Sequence, residues 1–177
     1  MRITGGCLGG RRITVPGGTI RPAMDRMRES VFSILGDISG RSFLDLFSGS
    51  GIIALEAASR GAEYIEAVEF DPIKRKTLLE NVKISPVCIY CKFISAELYV
   101  KRAKKTFDII FLDPPFPYRF RNDLIGSIAS SALMHVDSLL ILHLPAEDSR
   151  DVAPPGLVLK DSREYGRSVI NFYQILQ

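Results

Sequence analysis

Two histidines, His135 and His143, are all the imidazole the chain carries, and three cysteines, Cys7, Cys88 and Cys91, are all its thiol. The first count excludes a histidine-rich metal site, and no metal is expected. The second is too small and odd for a disulfide framework. Cys88 and Cys91 do form a Cys-x-x-Cys. They fall, however, in Val87-Cys88-Ile89-Tyr90-Cys91-Lys92-Phe93, whose β-branched and aromatic residues read as a strand, and no second pair completes four zinc ligands. They read as structural thiols. No apolar run approaches the ~18 residues of a membrane span, and Met1-Arg2-Ile3-Thr4-Gly5-Gly6 has no apolar signal region. A soluble cytoplasmic protein is expected. Repeats, linkers and low-complexity segments are also missing, as are the lysine of a phosphate-cradling loop and the Gly-x-Gly-x-x-Gly dinucleotide fingerprint.

What is present suits one folded domain: 177 residues, 46% of them hydrophobic. The net charge of +3 is uneven. Residues 1 to 30 hold Arg2, Arg11, Arg12, Arg21, Arg26 and Arg28 against Asp25 and Glu29, a balance of +4 that leaves −1 for the remainder. A clustered basic segment is the electrostatic footprint of a polyanion partner, because each arginine that meets a phosphate releases condensed counterions. The competing reading is a solvated basic face.

In chain order, the glycine-punctuated start predicts a hairpin or small ribbon. Pro22 opens a helix with apolar residues Met24, Met27, Val31, Ile34 and Leu35 at three- and four-residue steps, closing at Gly36. A strand, 42–47, then runs without a gap into Ser48-Gly49-Ser50-Gly51 and a helix from Ile52. Glycines there let backbone approach a ligand, and the helix start offers unpaired amides. The next strand, 64–70, ends on Glu69, an acid placed to accept from both hydroxyls of a ribose. Asp71, directly before Pro72, reads as the N-cap of a helix over 73–84, and Phe70 could cover an adenine face. A third strand over 87–94 leads to Ser95-Ala96-Glu97 and a basic helix end at Lys101-Arg102-Ala103-Lys104-Lys105. A fourth strand, 107–112, is followed by a helix over 124–133 and a strand over 138–144. Segments 156–160 and 169–176 read as an antiparallel hairpin. The alternation predicts a Rossmann-like α/β fold, mostly parallel, with an antiparallel C-terminal hairpin edge. We expect residues 1–20 as a basic, RNA-contacting extension and 21–177 as the main domain.

The fourth strand delivers Asp113-Pro114-Pro115-Phe116, the stretch around which the chain is organised. Each proline fixes its own φ and lacks an amide hydrogen, so the carbonyls of Asp113 and Pro114 are held in set directions. The Asp113 carboxylate and the Pro114 carbonyl can grip the two hydrogens of a flat amine while Phe116 lies against its ring. An exocyclic amine of a nucleobase fits; a plain Pro-Pro turn after a strand is the alternative.

Together these residues resemble the S-adenosylmethionine-dependent methyltransferases that modify amines, with 45–51 (Asp-Leu-Phe-Ser-Gly-Ser-Gly) as the cofactor loop and Asp113-Pro114-Pro115-Phe116 as the Asp/Asn-Pro-Pro-aromatic motif. The chain is more closely similar to the RsmD-type methyltransferases of bacterial small-subunit rRNA. That likeness lies in Arg2-Ile3-Thr4-Gly5-Gly6, Gly10-Arg11-Arg12, Arg21-Pro22 through Asp25-Arg26-Met27-Arg28-Glu29, and Glu69-Phe70-Asp71. The resemblance implies a class I methyltransferase with a mostly parallel seven-stranded sheet and S-adenosylmethionine as methyl donor, without a metal. It implies Asp113, Pro114 and Phe116 as catalytic residues and Asp45, Phe47, Gly49, Ser50, Gly51, Glu69, Phe70, Ser95 and Ala96 as cofactor-binding residues. Arg2, Arg11, Arg12, Arg21, Arg26 and Arg28 would bind RNA. The implied reaction methylates the 2-amino group of a specific guanine of 16S rRNA, the guanine 966 type, within the assembling small subunit, by a monomeric enzyme. Two departures stand out: Ser95 occupies a place where many related enzymes carry an acid or amide against the adenine, and Leu142-His143-Leu144 ends the fifth strand where the family often shows a glutamate. A methyltransferase of DNA adenine or protein glutamine, a dinucleotide oxidoreductase and a non-catalytic RNA-binding module remain alternatives.

Overall fold

A computed structural model describes residues 1–15, 22–115, 117–148 and 154–176. Arg21 and Phe116 therefore lie outside the described residues. Among them the chain forms α1 (Pro22–Leu35), β1 (Ser42–Leu46), α2 (Ile52–Ser59), β2 (Tyr64–Val68), α3 (Pro72–Asn81), β3 (Ile89–Lys92), α4 (Ala96–Arg102), β4 (Ile109–Leu112), α5 (Arg121–Ala129), β5 (Leu139–Pro145), β6 (Leu157–Tyr165) and β7 (Ser168–Ile175). Among the described residues no helix is long and apolar enough to cross a membrane.

The strands make one seven-stranded sheet in the order β3-β2-β1-β4-β5-β7-β6. Pairing is parallel from β3 through β5 and antiparallel where β7 meets β5 and β6. The hairpin is thus present but folded inward: its second strand enters the sheet and its first becomes the edge. Side-chain chemistry explains the choice. Val169, Ile170 and Phe172 on β7 are buried, whereas β6 runs through Lys160, Arg163 and Glu164, all exposed and suited to an edge that must not pair with another chain.

Because side chains alternate along a strand, each face of the sheet collects its own core. Phe43, Ile65, Ala67, Ile109, Phe111, Ile141 and Ile170 pack with α1 and α2 on one side. Leu44, Leu46, Val68, Ile110, Leu112, Leu140 and Leu142 pack with α4 and α5 on the other. The result is helices on both faces of a mainly parallel sheet.

Every residue of α2 is buried. A helix covered all round needs a second partner besides the sheet, and residues 1–15 supply it. Ile3, Leu8 and Ile13 belong to the same core as α2 and β1. The ribbon is sparse, one antiparallel bridge between Arg2 and Arg12 with a 3-10 turn at Gly6–Leu8. Its first residues share the core of the main fold.

One carboxylate inside α2 ties this layer together. Glu56 is fully buried. Its Oε1 accepts from the Thr4 amide at 2.8 Å and Arg28 Nε at 3.3 Å, and its Oε2 accepts from Thr4 Oγ1 and Arg60. Arg28 Nη2 also donates to the Arg2 carbonyl at 2.9 Å and to Asp25 Oδ1 at 2.6 Å. Arg28, expected on the RNA face, is only 1% exposed and is instead an internal cation. Burying a charge is tolerated only with close partners, and the acidic Asp25 and Glu56 provide them.

Candidate active site

The strand order reverses between β1 and β4, so the loops leaving their carboxyl ends diverge and open a crevice, the usual ligand position in such sheets. A cavity of about 1090 Å³ opens there. That is slightly above the usual range for a pocket that holds one drug-sized ligand. Phe47 and Gly49 after β1, Glu69 and Phe70 after β2, Ser95 and Ala96 at the start of α4, and Asp113 and Pro114 after β4 all line it. Eight residues scattered over 68 positions of sequence thus meet at one wall, because parallel strands deliver their carboxyl ends to the same edge.

Of the other residues that the sequence resemblance assigns to the cofactor, Asp45, Ser50 and Gly51 do not line the cavity; they hold the loop that does. Asp45 is buried in β1, where its Oδ2 accepts from Ser48 Oγ at 2.5 Å and from the Ala54 amide at 3.2 Å. Burial pushes its carboxyl up to about 7, and the nearby charges of Asp113 and Glu69 add to the rise against the opposing Ser48 bond. Asn81 Nδ2 donates to the Ser50 carbonyl at 2.8 Å, fastening the loop to α3. Gly51 has φ +81, a left-handed conformation that favours glycine, and a Cβ there would also press on Leu78 Cδ1 at 2.7 Å. Phe47 has φ 67, a conformation costly for a bulky residue. Its ring meets Tyr118 edge-on with centroids 5.3 Å apart, a contact that supports the strained backbone.

Glu69 is 5% exposed. Its Oε2 accepts from the Gly49 amide at 2.7 Å and its Oε1 from the Asp71 amide at 2.8 Å. Each oxygen keeps a second lone pair for a hydroxyl. Asp71 caps α3, accepting from the Ile73 amide at 2.9 Å, as its place before Pro72 suggests. Phe70 beside it is 72% exposed, an aromatic face with no cover. Ser95 Oγ accepts from the Leu98 amide at 3.2 Å, so it serves as the N-cap of α4 at the cavity wall.

Asp113 follows β4, its side chain 28% exposed, and its Oδ1 lies 2.7 Å from His143 Nδ1 on β5. The β4–β5 register pairs Leu112 with Leu142. One step further sets Asp113 beside His143, and strand alternation turns both to the same side. The sequence marked His143 as unusual without giving it a role; its partner 30 residues away could not be read without the register.

Further walls were not expected from the sequence. Tyr118, Arg119 and Phe120 come from the segment after the Pro-Pro turn, and Tyr165 to Ser168 form the turn between β6 and β7. Tyr118 hydrogen-bonds Glu97, and burial together with that carboxylate raises its phenol. Ser30 of α1 hydrogen-bonds Tyr165, which brings the hairpin turn against the first helix. Arg119 and Arg167 are exposed at the rim, as are Arg2, Arg11, Arg12 and Arg26 on the N-terminal layer. Among the described residues no group of three or more His, Cys, Asp or Glu could hold a metal ion. Cys91 sits in β3, where burial raises its thiol.

The model of the family described as Conserved hypothetical protein 95 matches residues 1–174. "Putative rRNA methyltransferase YlbH" of Bacillus subtilis is 30% identical, with 98% of each chain covered. "Ribosomal RNA small subunit methyltransferase D" of Escherichia coli is 28% identical over 98% of this chain and 89% of that one. Among solved structures, "Putative methyltransferase yhhF from Escherichia coli" matches with a TM-score of 0.86 and 28% identity, covering 99% of this chain and 97% of that one. With family match and fold in agreement, the chain belongs to the Conserved hypothetical protein 95 family, the RsmD-type methyltransferases that use S-adenosylmethionine.

Proposed function

We propose that this protein methylates the exocyclic 2-amino group of a guanine in 16S rRNA, of the guanine 966 type that the sequence resemblance implies. The observation that carries the reading is the placement of Asp113 and Pro114 in the same cavity wall as Glu69 and Phe70: an amine grip beside a nucleoside cradle.

The residues suit S-adenosylmethionine. Glu69, its carboxylate already oriented by two backbone amides, would accept from the ribose hydroxyls; the exposed Phe70 ring would cover the adenine; Gly49 leaves space for close approach. Phe47, Ser95 and Ala96 would complete the wall, with Asp45, Ser50 and Gly51 acting through the loop they brace. When bound, S-adenosylmethionine supplies a methyl group activated on a sulfonium.

The acceptor's difficulty is that an arylamine lone pair is delocalised into the ring. The Asp113 carboxylate and the Pro114 carbonyl would each take one N–H, which favours a pyramidal nitrogen and frees the lone pair to point across the cavity. Positioning is the chief catalytic contribution, since a held attack geometry supplies roughly 7 to 11 kcal/mol. A proton becomes acidic once the nitrogen carries the new methyl, and Asp113 or water receives it. Phe116 would stack on a guanine turned out of its stack, as base-modifying enzymes commonly require.

The polyanion contact falls to exposed cations. Arg2, Arg11, Arg12 and Arg26 remain the N-terminal candidates, with Arg21 added from the sequence, while Arg28 leaves the set. Arg119 and Arg167 join it at the cavity rim. Substrate, in this reading, is rRNA within the assembling small subunit, met by a monomer in the cytoplasm. DNA adenine or protein glutamine would satisfy the same grip, but the arginines favour structured RNA. The test is methyl incorporation into 16S rRNA and into subunits lacking the mark, with mass analysis of the modified base. Wild-type protein should yield N2-methylguanine, and Asp113→Ala should yield none while still binding S-adenosylmethionine by calorimetry. Full activity of Asp113→Ala would sink the assignment.

A further inference from the structure

We propose that His143 is a positioning residue for Asp113: its Nδ1–H fixes the carboxylate in the orientation that presents the other oxygen to the amine. The inference rests on the role given to Asp113 above. His143 Nδ1 and Asp113 Oδ1 are 2.7 Å apart, the distance of a charge-assisted hydrogen bond. The histidine side chain is 5% exposed and the aspartate side chain 28%, so a buried donor anchors an acceptor that reaches the cavity. The anchor itself is rigid, since His143 lies within β5, one residue after the Leu142 that pairs with Leu112 of β4, and is itself paired to Ile170 of β7.

Geometry makes the anchoring necessary. Asp113 follows the last residue of β4, and Pro114 removes the next amide hydrogen that could have held its side chain in place. An aspartate left free samples several χ rotamers, and only some would direct an oxygen towards the same spot as the Pro114 carbonyl. Binding one oxygen to His143 selects among them and leaves Oδ2 as the amine acceptor. An Nδ1 proton on the histidine is required, because a carboxylate cannot donate. A donor that grips the far oxygen of a functional carboxylate holds the group within the tolerance that chemistry demands.

Three substitutions separate this role from packing. Asparagine carries its amide nitrogen on Cγ, where histidine carries Nδ1, and so retains the donor. Glutamine places its nitrogen one bond further on, and leucine has none. In methyl transfer to subunits lacking the mark, His143→Asn should keep kcat within about 3-fold. His143→Gln and His143→Leu should lose roughly 10- to 100-fold in kcat, the effect of one hydrogen bond to a charged group. S-adenosylmethionine affinity by calorimetry should stay unchanged in all three. Equal kcat among the three variants, whether all retained or all lost, overturns the proposal. A second readout needs no substrate: 15N spectra of histidine-labelled protein should show His143 in the Nδ1–H tautomer, with the preference lost in Asp113→Ala. An Nε2–H tautomer in the wild type overturns it. Failure of the wild type to methylate rRNA would instead refute the proposed function, and the spectra would still decide the contact.

Discussion

Replacing Arg28 with methionine should cost stability rather than RNA affinity. The side chain is 1% exposed and Glu56 is fully buried, so their pairing is hardly screened by solvent. Removing one member of a buried pair typically costs about 3–5 kcal/mol, because the remaining charge is left in a poorly polarisable interior. Here Glu56 keeps Arg60 and both donors of Thr4, which places the expectation at the low end, about 3 kcal/mol. For a chain of this length each kcal/mol moves the melting temperature by about 2–4 °C, so a fall of roughly 6–12 °C is expected. Thermal melts of Arg28→Met, Glu56→Gln and the double variant form a cycle whose coupling should lie near 1–3 kcal/mol. Filter binding to an rRNA fragment below the melting range should show an unchanged dissociation constant and salt slope. A melting temperature within 2 °C of wild type, together with weakened RNA binding, would refute the internal role and restore Arg28 to the RNA face.

Asp45→Asn should flatten the pH dependence of stability. Burial raises this carboxyl to about 7 from an ordinary value of 3.8, so the native state holds its proton longer than the unfolded chain. Below pH ~4 the group costs nothing; as pH rises from there towards 7 the wild type loses stability, up to about 4 kcal/mol at 1.36 kcal/mol per unit. Urea midpoints of the two proteins should therefore diverge between pH 4 and 7 in the variant's favour, and parallel profiles would contradict the account. Arg119→Ala combined with Arg167→Ala should weaken RNA binding and reduce the slope of log affinity against log salt by roughly 1 to 2. An unchanged slope would remove the cavity rim from the RNA surface.

Local chemistry made much of this site readable in advance. The run from β1 through Gly51 into α2, the Asp71 cap and the acid at Glu69 are written within a few consecutive residues each, where strand pattern, glycine and capping preferences act directly. Asp113-Pro114 was readable for the same reason: an apolar run ends on a polar group and two rigid residues. What escaped depends on contacts between distant segments. Arg28 belongs by sequence to the clustered basic segment that reads as a polyanion contact; Glu56, which draws it inside, lies on another helix and carries no local signal of the pairing. His143 needed the β4–β5 register. The hairpin was found, yet its direction of insertion depends on which strand has two apolar faces, and Val169, Ile170 and Phe172 decide that only against β5. The walls at Tyr118 to Phe120 and at Tyr165 to Ser168 carry no motif at all, since any backbone returning past the sheet edge would serve.

The position of β7 also has a consequence for how the protein is made. Synthesis proceeds from the N-terminus, and partial chains begin to organise as they emerge. Strands β1 to β5 could pair in that order, but β7 lies between β5 and β6 and follows both in sequence. A nascent chain that has released β6 still cannot finish the sheet, because β6 has no neighbour to pair with until residues 168–175 appear. His143, whose outer neighbour is Ile170, would until then sit on an open edge. A truncated or stalled product would thus hold the Ser48–Gly51 loop and the Pro-Pro turn without a settled Asp113–His143 pair, and the cavity would be completed only when the final strand joins the sheet.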